Sequence, residues 1–204
     1  MKTKAVRCAS CKTQDCAQGV DRFGGRSDPR PHLDDEDLRL LKCASQIEAE
    51  FYMKMTRLEE LIELCERMEY KRIGVAFCIG LSREAKVLCA VLERRFDVFS
   101  ACCKNCGLDK DELGLAKIRP GNFEAMCNPV GQALLLDGAG TDLNLTVGLC
   151  VGHDMLFNKH SKAPVSAFAV KDRVLAHNPL GAIYSRYYLK NRFRIDPADI
   201  DSDG

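Results

Sequence analysis

The feature that most limits the fold is a change of hydrophobic period near Arg72. From there on, short apolar runs alternate with helix-length segments. Ile73-Gly74-Val75-Ala76-Phe77 is an apolar run bounded by charge and reads as a buried strand. Ser82 can cap a following helix that carries Ala85, Leu88 and Leu92 on one face. Val98-Phe99-Ser100-Ala101 is a second strand. A strand, a helix and a strand in that order imply a parallel pair with a right-handed crossover. Asn128-Pro129 supplies the N-cap and first turn of a helix through 136. Residues 143–149 form a third strand, a short helix starts near Asp154, and 165–170 form a fourth strand. Asn178-Pro179 starts a last helix through 188. The fold class is therefore α/β, a mainly parallel sheet of about four or five strands flanked by helices.

The chain before Arg72 differs. Residues 1–32 show no apolar period and form an arm bearing Cys8, Cys11 and Cys16. A long N-terminal helix follows, with acid from Asp34 to Asp37 in its first turn, where the helix dipole favours negative charge. Leu41, Ala44, Phe51, Met55, Leu58, Ile62 and Cys65 recur at helical spacing as one buried stripe. Cys43, Cys65 and Cys89 belong to such apolar faces and are read as packing residues. The expected organisation is an arm over 1–32, an α/β domain over 33–190 that carries the metal site argued below, and an acidic tail over 191–204.

Twelve cysteines in 204 residues stand out. A net charge of +1 gives no broad positive field, so composition gives no support to nucleic acid or an anionic membrane as partner. No apolar run is long enough to cross a bilayer, and residues 1–16 hold no stretch of signal-peptide length. The expected compartment is the cytoplasm, where thiols stay reduced. Clustered cysteines there more often bind metal or do redox chemistry than form staples.

Open parallel sheets bind ligands outside the carboxyl ends of their strands. Cys78 ends the first strand, Cys102 and Cys103 the second, and Cys150 the third. Lys171, Asp172 and Arg173 end the fourth. Cys127 and His177 each stand before a helix start that faces the same edge. The expectation is a cysteine-ligated centre on Cys78, Cys103, Cys127 and Cys150, an iron–sulfur cluster, with zinc as the alternative. Cys8-x2-Cys11-x4-Cys16 has the bite that brings thiolates to one metal and is a further ligand set, its fourth ligand left open among His32, Cys43 and a rim cysteine. His153, oriented by Asp154, is a candidate ligand or proton donor. Lys171, Asp172 and His177 are candidate catalytic groups for a small anionic or sulfur-containing ligand.

Two other functions compete. One is a zinc-binding structural or interaction module. The other is a metal-free thiol or persulfide exchange enzyme, supported by Cys102-Cys103 with Cys106 beside Lys104. The redox partner, if there is one, has no signature in the sequence.

Several strings resemble the family called domain of unknown function 1847, a predicted metal-binding family. They are the Cys8/Cys11/Cys16 triplet, Gly74-Val75-Ala76-Phe77-Cys78-Ile79-Gly80-Leu81, Cys103-Lys104, Cys127-Asn128-Pro129-Val130-Gly131-Gln132-Ala133, Gly148-Leu149-Cys150-Val151-Gly152-His153-Asp154, and Lys171-Asp172-Arg173-Val174 with His177-Asn178-Pro179. The resemblance runs over nearly the whole chain. It implies metal binding by the matching cysteines and carries no reaction with it. Cys106 and the insert near Phe23 depart from the pattern.

Overall fold

The computed structural model describes residues 6–201. They fall into two compact units, Lys42–Pro179 in one and Met1–Leu41 with Leu180–Gly204 in the other.

The larger unit is built on a sheet which, among the described residues, has four strands: β1 (Arg72–Phe77), β2 (Asp97–Cys102), β3 (Leu143–Leu149) and β4 (Val165–Val170). Their order is β2-β1-β3-β4 and every pair is parallel. Every residue of β3 is buried, which is why it reads as one unbroken apolar run. Two helices precede the sheet, α1 (Asp35–Phe51) and α2 (Arg57–Arg67). The crossovers carry α3 (Ser82–Leu92), α4 (Pro129–Gly138) and α5 (His153–His160).

Side chains alternate across a strand, so the two faces own different cores. Ile73, Val75, Leu143, Leu145 and Val147 pack with Leu81, Leu88 and Leu92 of the first crossover and with Leu61 and Cys65 of α2. Ala76, Ala101 and Leu149 pack with Ala133 and Leu136 of α4 and Phe157 of α5. Leu149 breaks the odd-numbered series of β3 because the register against β4 shifts at Gly148, which sits at φ +65. A bulge of this kind re-aims the side chains beyond it, here that of Cys150.

The chain leaves β1 toward β2 and leaves β3 toward β4, in opposite directions. The carboxyl ends of β1 and β3 therefore flank the point where strand order reverses, the place where doubly wound sheets open a crevice.

Three expectations need correction. The single stripe from Leu41 to Cys65 is carried by two helices, because Thr56 starts a new one. Its hydroxyl accepts from the Glu59 amide while the Glu59 carboxylate accepts from the Thr56 amide, a capping box that begins α2, and α1 has already ended at Phe51 in a turn where Met53 takes φ +58. Ser82 does not cap α3 but is its first residue, after a 3-10 turn over Ile79–Leu81. The last helix does not start at Asn178-Pro179. The Asn178 amide is bonded to the Leu175 carbonyl in a turn, so only a short α6 (Leu180–Tyr184) forms, followed by a π-helical turn over Tyr188–Phe193. Beyond that turn lies α7 (Pro197–Asp201), and the end of the acidic tail, 202–204, lies outside the described residues.

Candidate metal centre

Backbone bonds continue the sheet ladder past the strand ends and so fix the rim cysteines. The Cys78 amide donates to the Val147 carbonyl at 3.0 Å, and the Cys103 amide to the Phe77 carbonyl at 2.9 Å. Cys78 and Cys103 are buried; Cys127 and Cys150 are half-buried.

Cys127 reaches this edge through the loop between β2 and α4. That loop folds back on itself: Asp109 and Ala125 form an antiparallel bridge, and the Met126 amide donates to the Leu108 carbonyl at 2.9 Å. The Lys104 ammonium is bonded to the Ala125 carbonyl, and the Asn128 amide donates to the Cys103 carbonyl at 2.8 Å. Asn128 caps α4, accepting from the Gly131 amide at 2.8 Å. Asn105 ties the two ends together, donating to the carbonyls of Cys102 at 3.0 Å and Asn128 at 3.1 Å.

The Asn128 amide on the Cys103 carbonyl sets Cys127 beside Cys103. Interaction with Cys103 holds the Cys127 thiol well below its ordinary range, helped by Lys104 and His153, and the same interaction together with burial pushes Cys103 well above it. The Ile79 amide also approaches the Cys103 sulfur, at 3.3 Å. At the other side of the switch point, Arg173 Nη2 donates to Cys150 Sγ at 3.0 Å. A Cβ on Gly80 would lie 3.3 Å from Lys171 Nζ and 3.9 Å from Cys78 Sγ, which puts that ammonium and that thiol on one small patch.

Other expected groups have different duties. The Asp154 carboxylate does not orient His153: it accepts from the amides of Gly152 at 2.9 Å and Met155 at 2.8 Å, capping its own turn. His153 begins α5, and its charge bears on Cys127. Asp172 and His177 close the loop after β4. His177 Nδ1 accepts from the Asp172 amide at 3.2 Å, and Asp172 Oδ1 accepts from the amides of Val174 and Leu175. Cys43 and Cys65 are buried, Cys65 completely, and Cys89 packs against the core of α3.

Cys8, Cys11 and Cys16 lie in the smaller unit. They line one cavity of about 610 Å³ together with Arg22 and Phe23. Backbone amides of Gln14 and Thr13 lower the Cys11 thiol below its ordinary range. Among the described residues no disulfide joins any pair of cysteines. Among the described residues no group of three or more His, Cys, Asp or Glu side chains is arranged about a single metal ion.

Sequence reasoning missed Asn105 and the structural duties of Gln132 and Gly148. Gln132 is fully buried in α4 beneath the rim. Its amide donates to the carbonyls of Phe77 at 3.1 Å and Ala101 at 2.6 Å, and its Oε1 has no partner among the described residues. A lone amide side chain between Pro129 and Ala133 on an otherwise apolar helix was the available signal.

A family model described as "Protein of unknown function (DUF1847)" matches residues 26–168. The matched span includes all four rim cysteines; the Cys8 triplet, Lys171, Arg173 and His177 lie outside it. An uncharacterized protein, MJ0455, of Methanocaldococcus jannaschii is 52% identical over 187 residues, covering 91% of this chain and 97% of its own length. No solved structure matches.

Proposed function

This chain belongs to the family of proteins of unknown function 1847, and from that premise we propose that its rim binds an iron–sulfur cluster through Cys78, Cys103, Cys127 and Cys150. The observation that carries the reading is the convergence of four thiols, from four separate segments, on the β1/β3 switch point beside Lys104, Lys171 and Arg173. Thiolate-held centres are anionic, and buried or half-buried negative charge needs such partners.

Thiolates from four segments are the donor type that a cubane cluster takes, one to each iron, whereas a structural zinc gathers its ligands about one ion. The cluster, when bound, supplies one-electron transfer. The chain's own residues do the rest. Arg173 holds Cys150, Ile79 donates to Cys103, and Lys104 and His153 favour the Cys127 thiolate. We further read the protein as cytoplasmic; no helix among the described residues is long and apolar enough to cross a membrane.

Anaerobic purification with colour, iron and sulfide analysis tests this. Brown protein containing both iron and sulfide supports it. Colourless protein with stoichiometric zinc favours an interaction module and overturns it.

A second reading has one observation of its own, Cys127 set beside Cys103 by the Asn128 amide on the Cys103 carbonyl, with the Cys127 thiol held low and the Cys103 thiol high. A thiolate beside a thiol is the pair that a metal-free disulfide or persulfide exchange enzyme needs. Protein that never holds metal, yet transfers sulfur or reduces a small disulfide through these two thiols, would establish it.

A further inference from the structure

We propose that the cavity of the smaller unit is a thiol–disulfide exchange site, with Cys11 as the attacking sulfur, Cys8 as the resolving one, and a small carboxylated disulfide as the oxidant. It stands apart from the rim and does not depend on what the rim binds.

The backbone sets the pair. Cys8–Ser10 form a 3-10 turn, and the Cys11 amide closes it on the Cys8 carbonyl at 3.1 Å. Three steps at a rise of about 2.0 Å put the two α-carbons about 6 Å apart, and side chains three apart on such a turn eclipse each other. A disulfide spans α-carbons about 4.4 to 6.8 Å apart. Cys16 belongs to the next turn, Asp15–Gln18, which the chain enters through Gln14 at φ 44. All three thiols line the one cavity, so a molecule held there meets each of them.

Cys11 differs from the other two. It is half-buried, while Cys8 and Cys16 are exposed. The Thr13 hydroxyl stands 3.8 Å from its sulfur. Arg22 donates to that hydroxyl oxygen and is itself fixed by Asp15, with Nη2 2.5 Å from Oδ2. A hydroxyl oxygen that already accepts from a guanidinium still has its proton to give, and the Cys11 sulfur is within its range. A donor placed there supports negative charge on the sulfur that attacks.

The wall selects the partner. About 610 Å³ is room for a small organic molecule. The charged side chains on the lining are Arg7 and Arg22. Asp15 neutralises Arg22, so Arg7 leaves the wall net positive. Phe23 adds an apolar face. A disulfide whose arms end in carboxylates matches that wall.

In the reaction, the Cys11 sulfur attacks one sulfur of the small disulfide. That S–S bond breaks, the first half leaves with the electron pair, and Cys11 carries a mixed disulfide. Cys8 then attacks the Cys11 sulfur and displaces the second half. The two protein thiols give up two electrons and two protons. The small disulfide takes them and becomes two thiols, and the chain keeps a Cys8–Cys11 disulfide.

The test mixes the full chain, reduced and freed of small thiols, with oxidised glutathione, then quenches with acid and digests with trypsin. Cleavage after Arg7 and Lys12 isolates residues 8–12, with both sulfurs, as one peptide. In the wild type this peptide should become two hydrogens lighter before the peptides of the rim cysteines change. Cys8→Ser should stop at glutathione bound to Cys11. Cys11→Ser should slow any modification of residues 8–12 roughly tenfold, since Cys8 lacks the Thr13 donor. Thr13→Val should slow the first step several-fold in the Cys8→Ser background. Cystamine, a disulfide whose arms end in ammonium groups, should react more slowly than oxidised glutathione, and Arg7→Glu should abolish that preference. A peptide that stays reduced while rim cysteines are modified overturns the proposal, as does a disulfide to Cys16 in place of Cys8. Equal rates with the two disulfides overturn the choice of partner. Zinc or iron held by the wild type, lost in Cys11→Ser and kept in Cys78→Ser, makes the triplet a ligand set and overturns the exchange site.

Discussion

The Asn128 amide donates to the Cys103 carbonyl at 2.8 Å, which sets Cys127 beside Cys103 although the whole loop between β2 and α4 separates them along the chain. The contact depends on that loop closing through the Asp109–Ala125 bridge and the Asn105 clamp. The two thiols are tuned apart, Cys127 downward by Cys103, Lys104 and His153, and Cys103 upward by Cys127 and burial.

In metal-free protein, Cys127 should therefore be the rim thiol that alkylates fastest below the ordinary thiol pKa of about 8.5, because it is already a thiolate there. Mass mapping after brief iodoacetamide treatment at mildly acid pH reads this directly. Lys104→Met should shift the reaction toward higher pH. Uniform labelling of all rim thiols would contradict the assignment.

The loop has its own acid sensitivity. Lys117, bonded to Asp109 at 2.5 Å, and the amides of Asp111 and Glu124 hold the Asp109 carboxyl at about 2, below the unfolded value of about 3.9. A depressed carboxyl stabilises the fold above its unfolded pKa, and that contribution is lost as pH falls toward the folded one. Wild-type thermal stability should drop between about pH 4 and pH 2 by more than that of Asp109→Asn. Parallel melting curves for the two proteins across that window would refute the role.

Gly148 should not tolerate a side chain. A Cβ there would lie 2.8 Å from one Leu81 methyl and 2.9 Å from the other, at φ +65. Overpacking and left-handed strain together put the cost of Gly148→Ala at about 2 to 5 kcal/mol in denaturant unfolding. A variant as stable as wild type would mean that the bulge is not what aims Cys150.

Gln132→Leu removes two hydrogen bonds to the carbonyls that precede Cys78 and Cys102. The Phe77 carbonyl keeps the Cys103 amide, so the loss should cost about 1 to 3 kcal/mol in all, offset in part by the loss of the orphaned Oε1. A stability gain in this variant would show that Gln132 is a burden at that position.

β1 and β3 were legible because central parallel strands buried on both faces read as unbroken apolar runs, and the partly buried edge strands β2 and β4 still carry short apolar runs. The sequence spans for β3 and β4 coincide with the strands, and β1 and β2 extend by a residue at the edges. The rim followed from topology, since a parallel sheet sends every strand end to one edge. What periodicity could not register was a chain break on a continuous stripe: the apolar positions of α1 and α2 stay in phase across the Thr56 capping box. Nor could it separate two look-alike Asn-Pro strings. Asn128 has a free amide-accepting cap to fill, whereas Asn178 is taken by the turn that His177, at φ +64, has already begun. The pairings of Arg173 with Cys150 and of Cys103 with Cys127 join segments far apart in the chain, and no local pattern encodes them.

The most direct test of the central claim is anomalous X-ray diffraction at the iron edge from crystals of anaerobically purified protein. The account predicts strong iron density at the carboxyl ends of β1 and β3, within bonding reach of Cys78, Cys103, Cys127 and Cys150. Iron absent from that edge in protein that carries iron elsewhere, or a zinc signal in its place, would contradict it.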